Sequence, residues 1–207
     1  MQSYKVFIES KALIFTKGKV KNDDLIHQFG PTLQLKDYQS LKTQMQANNS
    51  DLLITSLDPL KTMNVFFSNF KWVSAAGGVV QAIEDSKQFL FIYRLGKWDL
   101  PKGKLEKDEH PKEGALREIQ EECNIRQLNY QEDLPDTYHC YEMNGNLHLK
   151  KTYWFLFSAS INEEIKPQLE EGITKVQWIH ATQLNEVYQN TYPSLFVLLD
   201  RINIKQA

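Results

Sequence analysis

Three glutamates lie close together in the middle of the chain, at Glu118, Glu121 and Glu122. The pattern from Lys112 to Cys123 predicts a helix, and at about 100° per residue the three carboxylates fall on one face of it. Apolar side chains occupy the other side of this helix as a stripe that we expect to be buried, namely Leu116, Ile119 and Cys123. Like-charged neighbours at these spacings each cost a few tenths of a kcal/mol, so helix stability alone does not account for the cluster.

A bound divalent cation would account for this cluster of carboxylates. Hard cations such as Mg²⁺ bind carboxylate oxygens and complete their coordination with water and phosphate oxygens. Such an ion neutralises phosphate charge and lowers the pKa of a bound water molecule. The cluster therefore predicts a site for Mg²⁺, with Mn²⁺ as the alternative, that serves phosphoryl chemistry. The competing interpretation is a solvated helix face, on which Arg117 pairs with Glu113 and Glu121 at i, i+4 spacing.

Length, charge and cysteine content limit the classes of protein to consider. The 207 residues are enough for one substantial core, or for a main domain with a small one. The net charge of −2 gives no electrostatic footprint for binding a nucleic-acid polymer, and Cys123 and Cys140 fit a reducing compartment. The start MQSYKVFIES is too short and polar for a signal peptide, and no apolar run approaches the roughly 18 residues of a membrane span. We expect a cytoplasmic protein with no membrane partner.

Alternating and clustered apolar residues predict strands on both sides of the acidic helix. Before residue 71 the predicted strands are SYKVFIES, KALIFT and DLLITS, and the predicted helices are LKDYQSLKTQMQ and a segment opened by Asp58-Pro59. After it the predicted strands are KWVSAAGGVVQAI, QFLFIYRL, TYHCYEM, LKKTYWFLF and VQWIHA, with SLFVLLDRI as a closing helix. Strands on both sides of a helix indicate an α/β sandwich. We expect a small α/β region at 1–70 and the main domain at 71–207.

The stretch from Gly103 to Ile125 resembles the Nudix box, which reads Gly, five residues, Glu, seven residues, then Arg-Glu-aliphatic-any-Glu-Glu-any-Gly-aliphatic. The positions that match are Gly103, Glu109, Arg117, Glu118, Ile119, Glu121, Glu122 and Ile125. The resemblance covers roughly residues 71–205 and includes SAAGGVV, WDLPKGK and EEGITKVQW. The box ends in Gly where this chain has Asn124, a residue type that tolerates the left-handed conformation of a helix C-cap. We therefore expect a small stability cost and an intact metal-binding face.

The resemblance implies a Nudix-type α/β/α sandwich with a mixed sheet, preceded by the small N-terminal α/β region. That region would act as a subdomain, a lid or the contact of a homodimer. The activity implied is metal-dependent hydrolysis of a pyrophosphate bond in a small phosphorylated substrate, such as a nucleoside diphosphate linked to another group. The LPKGK segment resembles that of members acting on dinucleoside polyphosphates, inositol pyrophosphates or nucleoside triphosphates more than that of members cleaving ADP-ribose.

The match also assigns roles residue by residue. It implies that Glu118, Glu121 and Glu122 bind the metal, together with a backbone carbonyl of the turn at Gly103 or Lys102. Arg117 would orient Glu118 or pair with Glu109. The general base would be a box glutamate or a glutamate before the last strand, where Glu171 has Glu170 as its neighbour.

Basic and aromatic residues around the box are candidates for contacts with substrate. Binding of the phosphates is predicted for Arg94, Lys102, Lys104 and Lys151, with Lys97 and Lys150 beside them. Trp98 and Trp154 are the right type to stack on a base, although each is more often a plain core residue. Two other classes share this fold, a non-catalytic sensor of nucleotide metabolites and an isomerase of isoprenoid diphosphates. The intact box carboxylates favour hydrolysis over both.

Overall fold

The computed structural model describes residues 3–18 and 24–206. Residues 1, 2, 19–23 and 207 lie outside that description. Some of them belong to the predicted regions 1–70 and 71–207 and to the N-terminal stretch assessed for a signal peptide. The chain divides into two compact units, the first of 1–73 with 138–151 and the second of 74–137 with 152–207. The predicted boundary near residue 70 stays a prediction. Among the described residues, no helix is both long and apolar enough to cross a membrane.

Strands and helices alternate along the chain. The strands are β1 Ser3–Ile8, β2 Lys11–Lys17, β3 Leu52–Ser56, β4 Lys71–Ala82, β5 Gln88–Arg94, β6 Lys97–Asp99, β7 Lys102–Lys104, β8 Asn129–Met143, β9 Asn146–Ala159 and β10 Ile173–His180. The helices are α1 Asp24–Phe29, α2 Leu35–Ala47, α3 Pro59–Phe66, α4 Pro111–Cys123, α5 Leu184–Gln189 and α6 Phe196–Gln206. Every strand and helix predicted from the sequence has a counterpart among these elements, whereas α1, α5, β6 and β7 were not predicted.

The first unit has its own apolar core. Strand β1 runs antiparallel to β2 and parallel to the residues of β8 from Tyr138 to Cys140, and β2 runs parallel to β3. Helices α1, α2 and α3 contribute Phe29, Leu41 and Met63 to the same buried cluster as the strands. Helix α3 begins where the sequence predicts, because the Asp58 side chain accepts a hydrogen bond from the backbone N–H of Lys61 at 3.0 Å.

The second unit is layered, with helices on both faces of a sheet. Its strands follow the order β10, β5, β4, β9 and β8, with β6 paired to β5 and β7 paired to β4. Successive side chains of β5 enter opposite clusters: Phe89 and Phe91 pack with α5 and α6, whereas Leu90 and Ile92 pack with α4. The chain contains parallel and antiparallel strand pairs, so the predicted mixed α/β fold is confirmed.

The predicted pair TYHCYEM and LKKTYWFLF is longer in the structure than in the sequence prediction. Strand β8 begins at Asn129 rather than near Thr137, and β9 begins at Asn146. The turn between them consists of Asn144 and Gly145, which have φ values of 53° and 71°. Two positive φ values suit a tight hairpin turn whose twist matches the flanking strands, and Asn-Gly is the preferred pair for it.

Helix α4 carries the acidic cluster, and its sequence marks both of its ends. His110 precedes it and accepts a hydrogen bond from the Lys112 N–H at Nδ1, at 3.3 Å, and Pro111 occupies the first helical position. Asn124 ends the helix in the left-handed conformation, with φ 61° and ψ 20°. The expected role of Asn124 as a left-handed cap is thereby confirmed. Its side-chain amide also donates a hydrogen bond to the Glu164 carbonyl at 2.7 Å.

We predict that Asn124→Ala lowers the free energy of unfolding by about 1–2 kcal/mol, because alanine is more strained than asparagine in the left-handed region and also loses the hydrogen bond to Glu164. Asn124→Gly loses the same bond to Glu164 without that strain, so it is the matched control and should be clearly more stable than the alanine variant. Urea unfolding of the three proteins measures the difference. Equal stability of the alanine and glycine variants would contradict this explanation of the cap.

Candidate active site

The three carboxylates of α4 share a face, but they do not share an environment. Glu118 and Glu122 are buried, with 6% and 0% of their surface exposed, whereas the Glu121 side chain is 48% exposed. Burial raises the pKa of Glu118, against the lowering effect of the Arg117 guanidinium beside it. Two buried carboxylates on one helix are costly for folding, so this face is not an ordinary solvated one.

Arg117 holds this acidic face to the loop that precedes α4. Its Nε and Nη2 donate to the two carboxylate oxygens of Glu109 at 2.8 and 3.0 Å, and Nη1 donates to Glu118 at 2.8 Å and to Glu121 at 3.0 Å. Nη2 also donates to the Lys104 carbonyl at 3.1 Å. Arg117 therefore makes both of the contacts proposed as alternatives from the sequence, and these hydrogen bonds hold the pKa of Glu109 below its usual range.

Gly103 leaves the space that Glu118 occupies. It lies in β7, paired with Ala76 of β4, and a Cβ added to it would overlap the carboxylate of Glu118. Glycine is therefore required here by the close approach of a charged side chain to the backbone, and not by an unusual φ. The same contact places the backbone of the turn directly beside a predicted metal ligand.

Glu122 is the most deeply buried of the three acids. Its Oε2 accepts a hydrogen bond from the Lys102 N–H at 2.8 Å, and burial raises its pKa to about 8. Its Oε1 is buried with no hydrogen-bond partner, although Arg94 Nη1 lies 3.6 Å away. A buried oxygen without a partner is unusual in a folded protein, and an ion or a water molecule bound here would supply the missing partner.

Arg94 brings Glu171 to the same cluster. Arg94 Nη2 lies 3.3 Å from Glu171 Oε2, while its Nη1 faces Glu122. Glu171 closes the short 3₁₀ turn Leu169–Glu171 and keeps 42% of its side chain exposed. The structure therefore places the predicted base beside the buried acids, and it places Arg94, predicted to bind phosphate, in contact with carboxylates.

The remaining predicted phosphate ligands are divided between the units. Lys102 Nζ donates to Asp99 Oδ2 at 2.5 Å, and Lys104 contributes its carbonyl to Arg117 while its own side chain is exposed. Lys151 belongs to the first unit, where its Nζ lies 6.0 Å from the centre of the Tyr138 ring. Asp99 is 3% exposed and was missed by the sequence reasoning, although its position just before the Leu-Pro-Lys turn was a usable signal.

The two tryptophans proposed for stacking differ in their surroundings. Trp154 is 1% exposed and its Nε1 donates to Thr137 Oγ1 at 2.9 Å, which is the behaviour of a core residue. Trp98 is partly buried and meets the Tyr93 ring edge-on at a centroid distance of 5.0 Å. The geometry therefore favours the core interpretation for Trp154.

The donor set fits a hard divalent cation, although the side chains are not gathered around a single point. Among the described residues, no group of three or more His, Cys, Asp or Glu side chains converges as a metal cage. Arg117 draws Glu118 and Glu121 towards itself, and the Lys102 N–H holds Glu122. The unpartnered Oε1 of Glu122 is the atom that a cation would satisfy, and carboxylate oxygens are the ligands that Mg²⁺ prefers. The assignment of metal ligands stays a prediction.

Comparison with known proteins identifies the family. The family model for the NUDIX domain matches residues 72–199. The Ap4A hydrolase of C. elegans, solved as a binary complex, is 23% identical over 63% of this chain and 93% of that chain, with a TM-score of 0.48. The MutT protein from Methanosarcina mazei Go1 is 21% identical over 66% of this chain and 96% of that chain, with a TM-score of 0.49.

A third solved structure of similar likeness is a NUDIX hydrolase from Nitrosomonas europaea. It is 17% identical over 66% of this chain and 73% of that chain, with a TM-score of 0.48. Structural likeness at this level specifies neither a family nor a substrate. The family assignment therefore depends on the match of the NUDIX-domain family model to residues 72–199.

We predict that Gly103→Ala lowers catalytic efficiency by about 100-fold, because the new Cβ displaces the Glu118 carboxylate by about 1 Å. Gly18→Ala is the matched control, since a Cβ there meets only ordinary contacts with Thr55. Steady-state kinetics of both variants against a pyrophosphate substrate checks this. Unimpaired turnover by Gly103→Ala would show that Glu118 has no fixed position in the reaction.

The raised pKa of Glu122 predicts a pH dependence of stability in EDTA. Because its folded-state pKa of about 8 exceeds the ordinary glutamate value of 4.5, its contribution is fully present below pH 4.5 and is lost as the pH rises to 8. The free energy of unfolding should therefore fall relative to that of Glu122→Gln across this window, by up to about 1.4 kcal/mol per pH unit. If the free energies of unfolding of the two proteins changed in parallel with pH, the raised pKa of Glu122 would be refuted.

Proposed function

The chain belongs to the NUDIX-domain family of pyrophosphohydrolases, and we propose that its substrate is a dinucleoside polyphosphate, a nucleoside triphosphate or an inositol pyrophosphate rather than ADP-ribose. NUDIX hydrolases generally use divalent metals, and we propose Mg²⁺ here, with Mn²⁺ as the alternative. The observation that carries the proposal is the buried Glu122 with its unpartnered Oε1, in a protein whose family cleaves phosphoric anhydride bonds. The preference among substrates depends on the LPKGK segment.

Glu118, Glu121 and Glu122, with a backbone carbonyl at Gly103, would hold the cation. When bound, the cation would neutralise phosphate charge and lower the pKa of a water molecule. Holding the carboxylates in place is the task of the protein: Arg117 fixes Glu118 and the Lys102 N–H fixes Glu122. Both carboxylates are thus oriented before substrate arrives, which avoids reorganisation during the reaction.

Glu171 would accept the proton of the water that attacks one phosphorus atom of the pyrophosphate. Its carboxylate is exposed enough to meet water, and Arg94 holds it beside the buried acids. The bond from that phosphorus to the bridging oxygen breaks as the new one forms, and the second phosphate leaves. Arg94, Lys102 and Lys104 would contact phosphate oxygens, and the role of Lys151 in substrate binding stays a prediction.

We predict that Glu122→Gln abolishes metal-dependent hydrolysis while the protein still folds. In the metal-free protein Glu122 has a pKa of about 8, so it is largely neutral at pH 7 and a neutral amide of the same shape replaces it with little loss. The assay presents dinucleoside polyphosphates, nucleoside triphosphates, nucleotide sugars and inositol pyrophosphates with Mg²⁺. Glu113→Gln, an exposed acid of the same helix, is the control. Normal turnover by Glu122→Gln would reject the metal assignment.

A second pair of variants tests the base. Glu171→Gln should slow the chemical step in single-turnover experiments by about 100-fold or more, because a positioned base typically contributes 10²–10⁴-fold. Glu170→Gln should leave the rate close to that of the unmodified protein, since Glu170 is an exposed neighbour in the same turn. Equal rates for the two variants would remove Glu171 from the mechanism.

A further inference from the structure

A second concave site lies in the second unit, where the first turn of α4 faces strands β8 and β9. This cleft has a volume of about 650 Å³, and its walls include Lys112, Tyr130, Asp133, Asp136 and Tyr153. Clefts of roughly 300–1,000 Å³ with aromatic walls and a few polar groups are typical of small-molecule sites. None of the three box carboxylates on α4 lines it.

Tyr130 gives this cleft an exposed and firmly held aromatic ring. The residue is 43% exposed, yet its ring packs against buried rings at centroid distances of 6.4 Å to Phe155 and 6.3 Å to Phe157. Lys112 Nζ lies over the ring, 4.5 Å from its centre. One side of the ring packs against other aromatic rings and a lysine ammonium lies over it, and such a ring is suited to stacking once a flat ligand takes the place of the lysine.

Carboxylates mark the rim of the same cleft. The Tyr130 hydroxyl donates to Asp133 Oδ1 at 2.9 Å, and Asp136 also contributes to the wall. Ionised carboxylates only accept hydrogen bonds, and they are well suited to the neighbouring hydroxyls of a ribose. The wall therefore combines a surface for a base with acceptors for a sugar.

The cleft is within reach of the proposed catalytic carboxylates along α4. His110, which lines it, directly follows Glu109, the partner of Arg117. From Pro111 to Glu118 the helix rises by about 10 Å at 1.5 Å per residue. A chain of phosphates starting at the first turn of α4, beside Lys112, would run towards Glu118.

We propose that this cleft binds the nucleoside end of a polyphosphate substrate, with the base stacked on Tyr130 and the ribose hydroxyls at Asp133 and Asp136. Lys112 leaves the ring and meets the phosphate next to the ribose. The inference depends on the proposed function for the rest of the substrate, and it narrows the substrate class to nucleotides and dinucleoside polyphosphates. Inositol pyrophosphates, which have no base, lack the group that this wall selects.

Binding of AMP to the full chain in EDTA tests the base contact without any hydrolysis. Calorimetry should show AMP binding at least about tenfold tighter than ribose 5-phosphate, because stacking on an aromatic side chain contributes about that much or more. Tyr130→Ala should lose this preference and Tyr130→Phe should keep it. Trp72→Ala, at an exposed aromatic residue outside the cleft, is the control and should leave it unchanged. Equal binding of the two probes, or unaltered AMP binding by Tyr130→Ala, overturns the proposal.

The sugar contact has its own test, which holds even if Tyr130→Ala folds poorly. The unmodified protein should bind AMP several-fold tighter than 2′,3′-dideoxy-AMP, and Asp136→Asn should reduce that ratio. A wild-type protein that binds both nucleotides equally would overturn the assignment of the carboxylates.

Failure of this inference and failure of the proposed function give different results. If the protein hydrolyses dinucleoside polyphosphates but Tyr130→Ala has an unchanged KM for them, the cleft is wrong and the hydrolase stands. If no substrate is cleaved but AMP binding still depends on Tyr130, the nucleoside site stands and the choice of substrate is wrong. With both correct, Tyr130→Ala raises KM for a dinucleoside polyphosphate, whereas Trp72→Ala leaves that KM at the wild-type value.

Discussion

The guanidinium of Arg117 is the interaction on which the rest of the site depends. All five of its N–H groups are used, on the carboxylates of Glu109, Glu118 and Glu121 and on the Lys104 carbonyl. One side chain therefore joins the loop before α4 to the face of α4 that carries the acids. Without it, Glu118 would be a buried carboxylate with no opposite charge beside it, a situation that destabilises proteins strongly.

Burial of the Glu122 carboxyl also opposes folding, and fewer favourable contacts compensate for it than for Glu118. Its partners are the backbone N–H of Lys102 and the guanidinium of Arg94, which lies 3.6 Å from Oε1, so that oxygen accepts no hydrogen bond. Leucine at this position would be far easier to fold. A buried ionisable group here lowers stability, and groups whose pKa is shifted by burial are concentrated at functional sites.

Sequence patterns predicted local structure well and tertiary contacts poorly. The limits of α4 followed from Pro111 and Asn124, because each has a strong local conformational preference. The early start of β8 at Asn129 did not follow from the sequence, because Pro135 disfavours a strand and only pairing with neighbouring strands in the sheet overrides that preference. Helical geometry placed the three glutamates on one face, but it could not show that the interior covers Glu118 and Glu122 and leaves Glu121 exposed.

Contacts between residues far apart in sequence were the other limit. Arg94 and Glu171 were each singled out separately, and nothing local indicates that one guanidinium lies between Glu171 and Glu122. The pairing arises because β5 and β10 are neighbours in the sheet, so the end of one strand meets the turn before the other. Such proximity is a property of topology, which the period of a sequence does not encode.

The residues of the Nudix box are required for different physical reasons, and these reasons determine which substitutions each position tolerates. Position 124 requires a left-handed φ, which Asn supplies as well as making an extra bond to Glu164. Gly103 is required for space, and every other residue would bring a Cβ into the Glu118 carboxylate. Glu109 and Arg117 form a two-hydrogen-bond ion pair, so loss of either residue removes it, and loss of Arg117 also removes the cation beside Glu118. A departure from the box at a conformational position is therefore compatible with an intact acidic face, whereas a departure at a spatial or paired position would not be.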